Sequence, residues 1–113
     1  IIGKGEKYNS LVNFIKKNNL NKIVKLIGYQ QQPTEYLRDA DIFILTSKYE
    51  GLPNVLLEAQ YFKKYIISTN CPTGPREIIG KNKYGYLSKV NDPVDLSKNI
   101  IKALYVCQTT HLK

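Results

Sequence analysis

Several features that mark particular protein classes are scarce in this sequence of 113 residues. The two cysteines, Cys71 and Cys107, are far apart and lack a CxxC partner, which favours a reducing compartment over a disulfide scaffold. The single histidine, His111, stands alone near the end and suggests neither a metal ligand nor a base. No apolar run approaches the roughly 18 residues of a membrane span, and there is no signal-peptide pattern. We therefore expect a metal-free domain of a cytoplasmic protein.

Methionine is absent altogether, so the chain does not begin with an initiator methionine. Its first residues, Ile1 and Ile2, run directly into Gly3-Lys4-Gly5, which looks like the end of a strand whose beginning is missing. A chain of this length supports one domain with a modest core. We therefore expect residues 1–113 to form a single partial domain of a longer protein.

Acidic residues are also few, since 17 Lys and Arg stand against 9 Asp and Glu and give a net charge of +8. Such an excess is typical of solvated, lysine-rich faces, and it also suits peripheral contact with an anionic membrane. Nucleic acid is not an expected partner, because no cluster of basic residues alternates with aromatic ones.

Helix and strand patterns alternate along the chain. Apolar residues at helical spacing indicate helices, continuous apolar runs indicate buried strands, and two prolines stand at favoured first positions of helices. The patterns predict helices over residues 6–18, 33–37, from Pro53 to about Lys64 and from about Asp92 onward, and strands over residues 23–27, 42–45, 65–68 and 85–87. We place Leu96, Ile100, Ile101 and Leu104 on the apolar face of the last helix. The alternation predicts an α/β fold, a Rossmann-like parallel sheet with helices on both faces.

Ligands of such sheets bind beyond the carboxyl ends of the strands, so the candidate loops are residues 28–32, 46–52 and 69–75, and the second is the main candidate site. Gly51 lets the backbone approach a ligand, and Pro53 begins a helix whose first amides suit a phosphate or diphosphate. Glu58 lies about 7.5 Å further along that helix, where a carboxylate can accept hydrogen bonds from a ribose diol. On spacing alone, Glu50 and Glu58 are better explained as ordinary helix-entry and surface carboxylates.

The string EGLPNVLLEA, from Glu50 to Ala59, resembles the E-x7-E motif of retaining GT-B glycosyltransferases, family 4 of the sequence classification. The flanking segments 40–42, 66–69, 71–79, 85–87 and 91–92 match the same family in the same order. This resemblance implies the donor-binding domain of a GT-B enzyme. It further implies metal-independent, retaining transfer from a nucleotide sugar, a UDP-hexose or UDP-N-acetylhexosamine, to a polysaccharide or lipid-linked acceptor. The expected location is the cytoplasm, at the inner face of the cell membrane.

The resemblance also implies roles for individual residues. Glu50 would face the donor sugar as the catalytic carboxylate, Glu58 would hold the ribose, and the amides of residues 54–56 would hold the phosphate. The base would meet the loop that contains Gly28 and Tyr29. The implied donor-binding set is Gly28, Tyr29, Glu50, Gly51, Leu52, Pro53, Asn54, Val55, Leu56 and Glu58, with no metal ligand and no cofactor.

The chain departs from the family pattern at its start, because the family takes an Arg and a Lys for the diphosphate from a segment that would precede Ile1. An N-terminal acceptor domain is likewise expected as a missing partner. The alternatives are a non-enzymatic α/β binding module and a GT-B epimerase or phosphorylase. Asp39-Ala40-Asp41 fits a D-x-D metal motif but bridges a helix end and a strand start, and Gly3-Lys4-Gly5 is better explained as a tight turn than as a phosphate loop.

Overall fold

A computed structural model describes residues 1–3, 5–48, 54–71, 75–79 and 85–111 of the chain. The chain divides into two compact units, Ile1–Glu35 and Tyr36–Lys113. The elements are α1 (Tyr8–Lys17), α2 (Thr34–Asp39), β1 (Ile42–Leu45), α3 (Asn54–Tyr61), β2 (Tyr65–Thr69), α4 (Pro75–Ile79), β3 (Gly85–Ser88) and α5 (Pro93–His111). None of these described helices is long and apolar enough to cross a membrane.

The first unit contains α1, which ends in a Schellman motif. The amide of Leu20 donates to the carbonyl of Ile15 at 2.9 Å, and the amide of Asn19 donates to the carbonyl of Lys16 at 3.2 Å. Asn19 has a φ of 56°, a left-handed conformation that asparagine tolerates better than most residues. The paired asparagines therefore end the helix where the sequence predicts.

The strand predicted over residues 23–27 is wrong. In the described residues of this unit, Ile2 and Gly28 form an isolated parallel bridge, and residues 23–27 are not assigned to a strand. The amide of Gly3 donates to the carbonyl of Gly28 at 2.8 Å, but Gly3 has a φ of 131°. Ile1 pairs with the same segment, because its terminal nitrogen donates to the carbonyl of Lys25 at 2.7 Å and its carbonyl accepts from the amide of Ile27 at 3.1 Å. The segment therefore lies beside residues 1–3 without forming a regular strand.

The second unit contains a three-stranded sheet of order β1-β2-β3. Both pairs are parallel, with Phe43 opposite Ile66 and Ile67 opposite Tyr86. Parallel pairing requires crossover connections, which α3 and α4 provide. The predicted strands over residues 42–45, 65–68 and 85–87 are therefore confirmed, two of them with one more residue at the carboxyl end.

Helices cover both faces of this sheet, as predicted. On one face, Ile66 is fully buried in a cluster with Leu56 and Ala59 of α3 and Ile79 of α4. On the other face α5 packs against β2 and β3, and the Nδ2 of its buried Asn99 donates to the Oγ of Ser88 at 2.7 Å. The alternation of side chains along each strand explains why Ile66 and Ser88 belong to opposite faces.

The buried side of α5 differs from the predicted one. Leu96 and Ile100 are half-buried as expected, but Ile101 is 67% exposed and Leu104 is 47% exposed. The buried positions are instead Asn99 and Ala103, which share a helix face with Leu96. A polar and a small residue at these positions weaken the apolar pattern, which is why periodicity alone placed the face too far around the helix.

Gly85 sets the spacing between β2 and β3. A Cβ atom added at this position would lie 1.7 Å from the carbonyl oxygen of Ile66, its partner in the register. Only glycine avoids this contact, because the obstacle is backbone and cannot rotate away. The close approach at Gly85 therefore specifies which residue of β3 faces Ile66.

Candidate functional site

The carboxyl ends of the three parallel strands lie at one edge of the sheet. Leu45, Thr69 and Ser88 are the last residues of β1, β2 and β3. In open α/β sheets this edge is where ligands bind, because the loops that leave the strands lead into the amino ends of the next helices. The connection from β1 leads to α3, and the connection from β3 leads to α5.

At the start of α5, two carboxylates of the chain itself accept hydrogen bonds from backbone amides. The amide of Asp95 donates to Oδ1 of Asp92 at 3.0 Å, and the amide of Lys89 donates to Oδ2 of Asp95 at 2.9 Å. These negative charges already oppose the positive end of the helix dipole. An external anion would therefore be repelled at α5.

The start of α3 differs in charge. Its first turn contains no acidic residue. In any α-helix the first four amides have no partner within the helix, and their partial positive charge attracts anions. The short helix α4, which follows β2, has Glu77 in its first turn. Of the helices in the described residues of the second unit that begin at this edge, α3 is therefore the one suited to a phosphate group.

Four predicted site residues lie on α3, and the core holds the helix in place. Leu56 and Ala59 are fully buried against the sheet, whereas Asn54 and Glu58 are exposed. Asn54 and Glu58 are four positions apart and share a helix face. Val55 is half-buried. Because the side chain of Leu56 belongs to the core, only the backbone amide of this residue is suited to contact a ligand.

The structure describes only some of the remaining predicted site residues. Glu50, Gly51, Leu52 and Pro53 lie outside the described residues. Gly28 and Tyr29 belong to the first unit, where Gly28 has a φ of 70° and the Tyr29 side chain is 75% exposed. Their assignment to the nucleotide base stays a prediction.

Sequence reasoning missed two contacts that hold the edge together. The hydroxyl of Thr69, at the end of β2, donates to the carbonyl of Ser47 in the segment that follows β1. The amide of Asn70 donates to the carbonyl of Ser88 at 2.8 Å. The available signal was a hydroxyl residue that ends an otherwise apolar strand, but its partner depends on the strand register.

A second group of polar side chains lies at the opposite end of the sheet. Tyr65 begins β2, contacts Tyr86 edge to face at 5.5 Å between ring centroids, and has Cys107 nearby on α5. Burial and a hydrogen bond with Tyr86 raise the pKa of Tyr65. Burial, and to a smaller extent the charge of Asp41, raises the pKa of Cys107. Both groups therefore keep their protons at neutral pH, which does not favour a nucleophile here.

The two sequence motifs set aside as unrelated to the site have structural explanations. Asp39 ends α2 and Asp41 precedes β1, and both side chains are exposed. Throughout the part of the chain that the structure describes, no three acidic, histidine or cysteine side chains are grouped closely enough to hold a metal ion. The amide of Gly3 is used in its bond to Gly28, and Lys4 lies outside the described residues, so the turn at Gly3-Lys4-Gly5 stays a prediction.

Known proteins similar to this chain point to one family. The family model described as glycosyl transferases group 1 matches residues 1–105. An uncharacterized glycosyltransferase of Methanocaldococcus jannaschii is 44% identical over 79 residues, which cover 70% of this chain and 20% of the relative. A Campylobacter jejuni enzyme named N-acetylgalactosamine-N,N'-diacetylbacillosaminyl-diphospho-undecaprenol 4-alpha-N-acetylgalactosaminyltransferase is 32% identical, over 81% of this chain and 25% of the enzyme.

A solved structure with the same fold is a mutant of Staphylococcus aureus TarM in complex with Fondaparinux, alpha-GlcNAc-glycerol and UDP. It superimposes with a TM-score of 0.83 at 30% identity and covers 93% of this chain and 21% of TarM. The chain thus spans about a fifth to a quarter of the length of the relatives it matches. These similarities favour a transferase over a non-enzymatic binding module.

Proposed function

The chain belongs to the family of glycosyl transferases group 1, and from this membership we propose that it forms the donor-binding part of a retaining glycosyltransferase. The donor is a UDP-hexose or a UDP-N-acetylhexosamine. An acceptor domain, supplied by a longer protein, completes the active site. The observation that carries this proposal is the start of α3, which lacks a carboxylate of its own and has Glu58 one turn further along.

Each part of the donor has a matching group on this chain. The amides of residues 54–56 bind the distal phosphate, and the exposed carboxylate of Glu58 accepts hydrogen bonds from the two ribose hydroxyls. The loop at Gly28 and Tyr29 contacts the base. For the sugar we propose Glu50, whose charge would stabilise the positive charge that develops at the anomeric carbon. The helix-start amides stabilise the leaving diphosphate, so the reaction proceeds without a metal ion.

The acceptor is a hydroxyl group of a polysaccharide or of a lipid-linked sugar. Support comes from the C. jejuni relative, whose name specifies an undecaprenol-linked acceptor, and from the UDP bound to TarM. A lipid-linked acceptor places the reaction at the cytoplasmic face of the membrane. The net charge of +8 suits contact with anionic lipids there.

The role of Glu58 is tested by titrating the chain with UDP and following NMR chemical shifts, which detect even millimolar binding. Glu58→Ala should weaken UDP binding by about 10- to 150-fold, because hydrogen bonds to a charged group contribute about 1.5–3 kcal/mol. The fold should be unchanged, because Glu58 is exposed.

A matched control is Glu35→Ala, which removes an exposed carboxylate in the first turn of α2, a helix that precedes the sheet. This variant should bind UDP as the wild type does. Equal affinity of folded Glu58→Ala and wild-type chains would show that the ribose assignment is wrong.

A further inference from the structure

The side chain of Thr69 connects the end of β2 to the segment that follows β1 at the ligand edge. It is the last residue of β2 and is only 4% exposed. Its hydroxyl donates to the carbonyl of Ser47, two positions beyond the end of β1. We propose that Thr69 is a positioning residue for glycosyl transfer, which fixes the backbone where the connection from β1 to α3 leaves the sheet. This inference rests on the function proposed above.

The register shows where the bond from Thr69 lies. Pairing between β1 and β2 ends with Leu45 opposite Ser68, so Ser47 lies beyond the last backbone pair. On the other side, pairing of β2 continues to Thr69 opposite Ser88, and the amide of Asn70 then extends it. The end of β2 is thus bonded to β3 through backbone groups, and it is bonded to the segment after β1 through the Thr69 hydroxyl.

The neighbouring hydroxyl does not make such a connection. Ser68 is fully buried, and its Oγ donates to the carbonyl of Thr69 at 3.1 Å, the residue next to it in the chain. Replacing Ser68 therefore removes a buried hydroxyl from the same strand without releasing β1. This makes Ser68→Ala a matched control for Thr69→Val.

The consequence for the reaction follows from the order of residues along the chain. The connection that Ser47 begins contains Glu50, the proposed catalytic carboxylate, three positions later in the sequence. A displacement of a reacting group by about 1 Å can lower a rate by about 100-fold. The helix α3 is held separately, by Leu56 and Ala59 in the core. Loss of the Thr69 bond should therefore impair transfer more than it impairs nucleotide binding.

The test uses the enzyme that joins this chain to its acceptor domain, with kcat measured for transfer from a UDP-sugar and Kd measured for UDP. Thr69→Val should lower kcat by about tenfold or more and change the Kd for UDP by less than about twofold. Thr69→Ser, which keeps a hydroxyl, should recover most of kcat. Ser68→Ala should keep kcat near the wild-type value, and melting curves should show all variants folded at the assay temperature.

Two results would overturn the inference alone. One is an unchanged kcat in folded Thr69→Val when the wild type transfers sugar. The other is an equal loss of kcat and of UDP affinity in both Thr69→Val and Ser68→Ala, which would indicate general loosening of the core. If the wild-type enzyme neither binds UDP nor transfers sugar, the proposed function itself is wrong, and the role of Thr69 is wrong with it.

Discussion

At the scale of single residues, Tyr65 shows how the two ends of the sheet differ. Its ring contacts Tyr86, and Nζ of Lys102 lies 5.9 Å from the Tyr86 ring centroid. Burial, hydrogen bonding with Tyr86 and the nearby thiol of Cys107 all raise the pKa of Tyr65. The neutral phenol is therefore the form that stabilises the fold. This end of the sheet is a packing site, in contrast to the edge at Thr69.

The pH dependence of stability follows from the direction of that shift. The folded pKa of Tyr65 lies above the unfolded value of about 10, so its contribution is complete below pH 10 and decreases as the pH rises further. Tyr65→Phe removes the hydroxyl and should cost about 0.5–1.5 kcal/mol of unfolding free energy at pH 8. The difference from wild type should shrink above about pH 10. Urea unfolding at several pH values measures this.

The control for that experiment is Tyr61→Phe, because the Tyr61 side chain is 81% exposed. Its stability should follow that of the wild type across the same pH range. A gap between Tyr65→Phe and wild type that stays constant above pH 10 would contradict the assigned direction.

Residue positions at the site were predictable only where a local pattern determines them. Glu58 and Asn54 share an exposed face because helical spacing requires it, and the sequence alone predicts this arrangement. The bond from Thr69 to Ser47 joins the end of β2 to the segment that follows β1. It depends on the register of β1 and β2, which is set by packing across the sheet and not by any local signal.

At the scale of secondary-structure elements, the end of α3 contains a residue with a strained backbone conformation that a substitution can relieve. The amide of Lys64 donates to the carbonyl of Ala59 and the amide of Lys63 donates to the carbonyl of Gln60, both at 2.9 Å, which is a Schellman motif. Lys63 therefore has a φ of 58°, a conformation that is costly for a residue with a Cβ atom. The same motif explains why the helix ends at Tyr61, before the predicted end near Lys64.

Lys63→Gly should stabilise the protein by about 1 kcal/mol, because glycine adopts the left-handed conformation without strain. Chemical denaturation of wild type and variant measures the difference. Lys63→Ala is the matched control, since alanine removes the charge and the long side chain but keeps the Cβ atom. An equal gain in both variants would show that charge, and not backbone conformation, limits stability here.

Element types were more predictable than element ends and faces. The strands over residues 42–45 and 65–69 contain the apolar runs 42–45 and 65–67, which are typical of strands in a sheet covered on both sides. The segment over residues 23–27 has the same composition but forms no ladder. The buried face of α5 includes Asn99, whose bond to Ser88 could not be inferred from an apolar pattern.

At the scale of the whole molecule, the excess of basic residues determines how the chain meets anionic surfaces. A net charge of +8 should produce binding to phosphatidylglycerol vesicles at low ionic strength. The binding should be lost between about 0.01 M and about 1 M salt, over which the Debye length falls from about 30 Å to about 3 Å. Sedimentation with vesicles measures it, and vesicles of phosphatidylcholine alone are the control. Binding that survives high salt would indicate apolar insertion instead of charge attraction.

The parallel register also has a consequence for how the protein is synthesised. Each strand pairs with a partner that lies beyond a complete connection containing a helix, so no two strands can join as a hairpin. During translation β2 can pair with β1 only after α3 has left the ribosome. The face of the sheet that carries Ile67 is covered only when α5 arrives, and α5 is the last element of the chain. A nascent chain that has left the exit tunnel only as far as the segment between Ser88 and Asn99 would therefore present an assembled sheet with one apolar face open to chaperones.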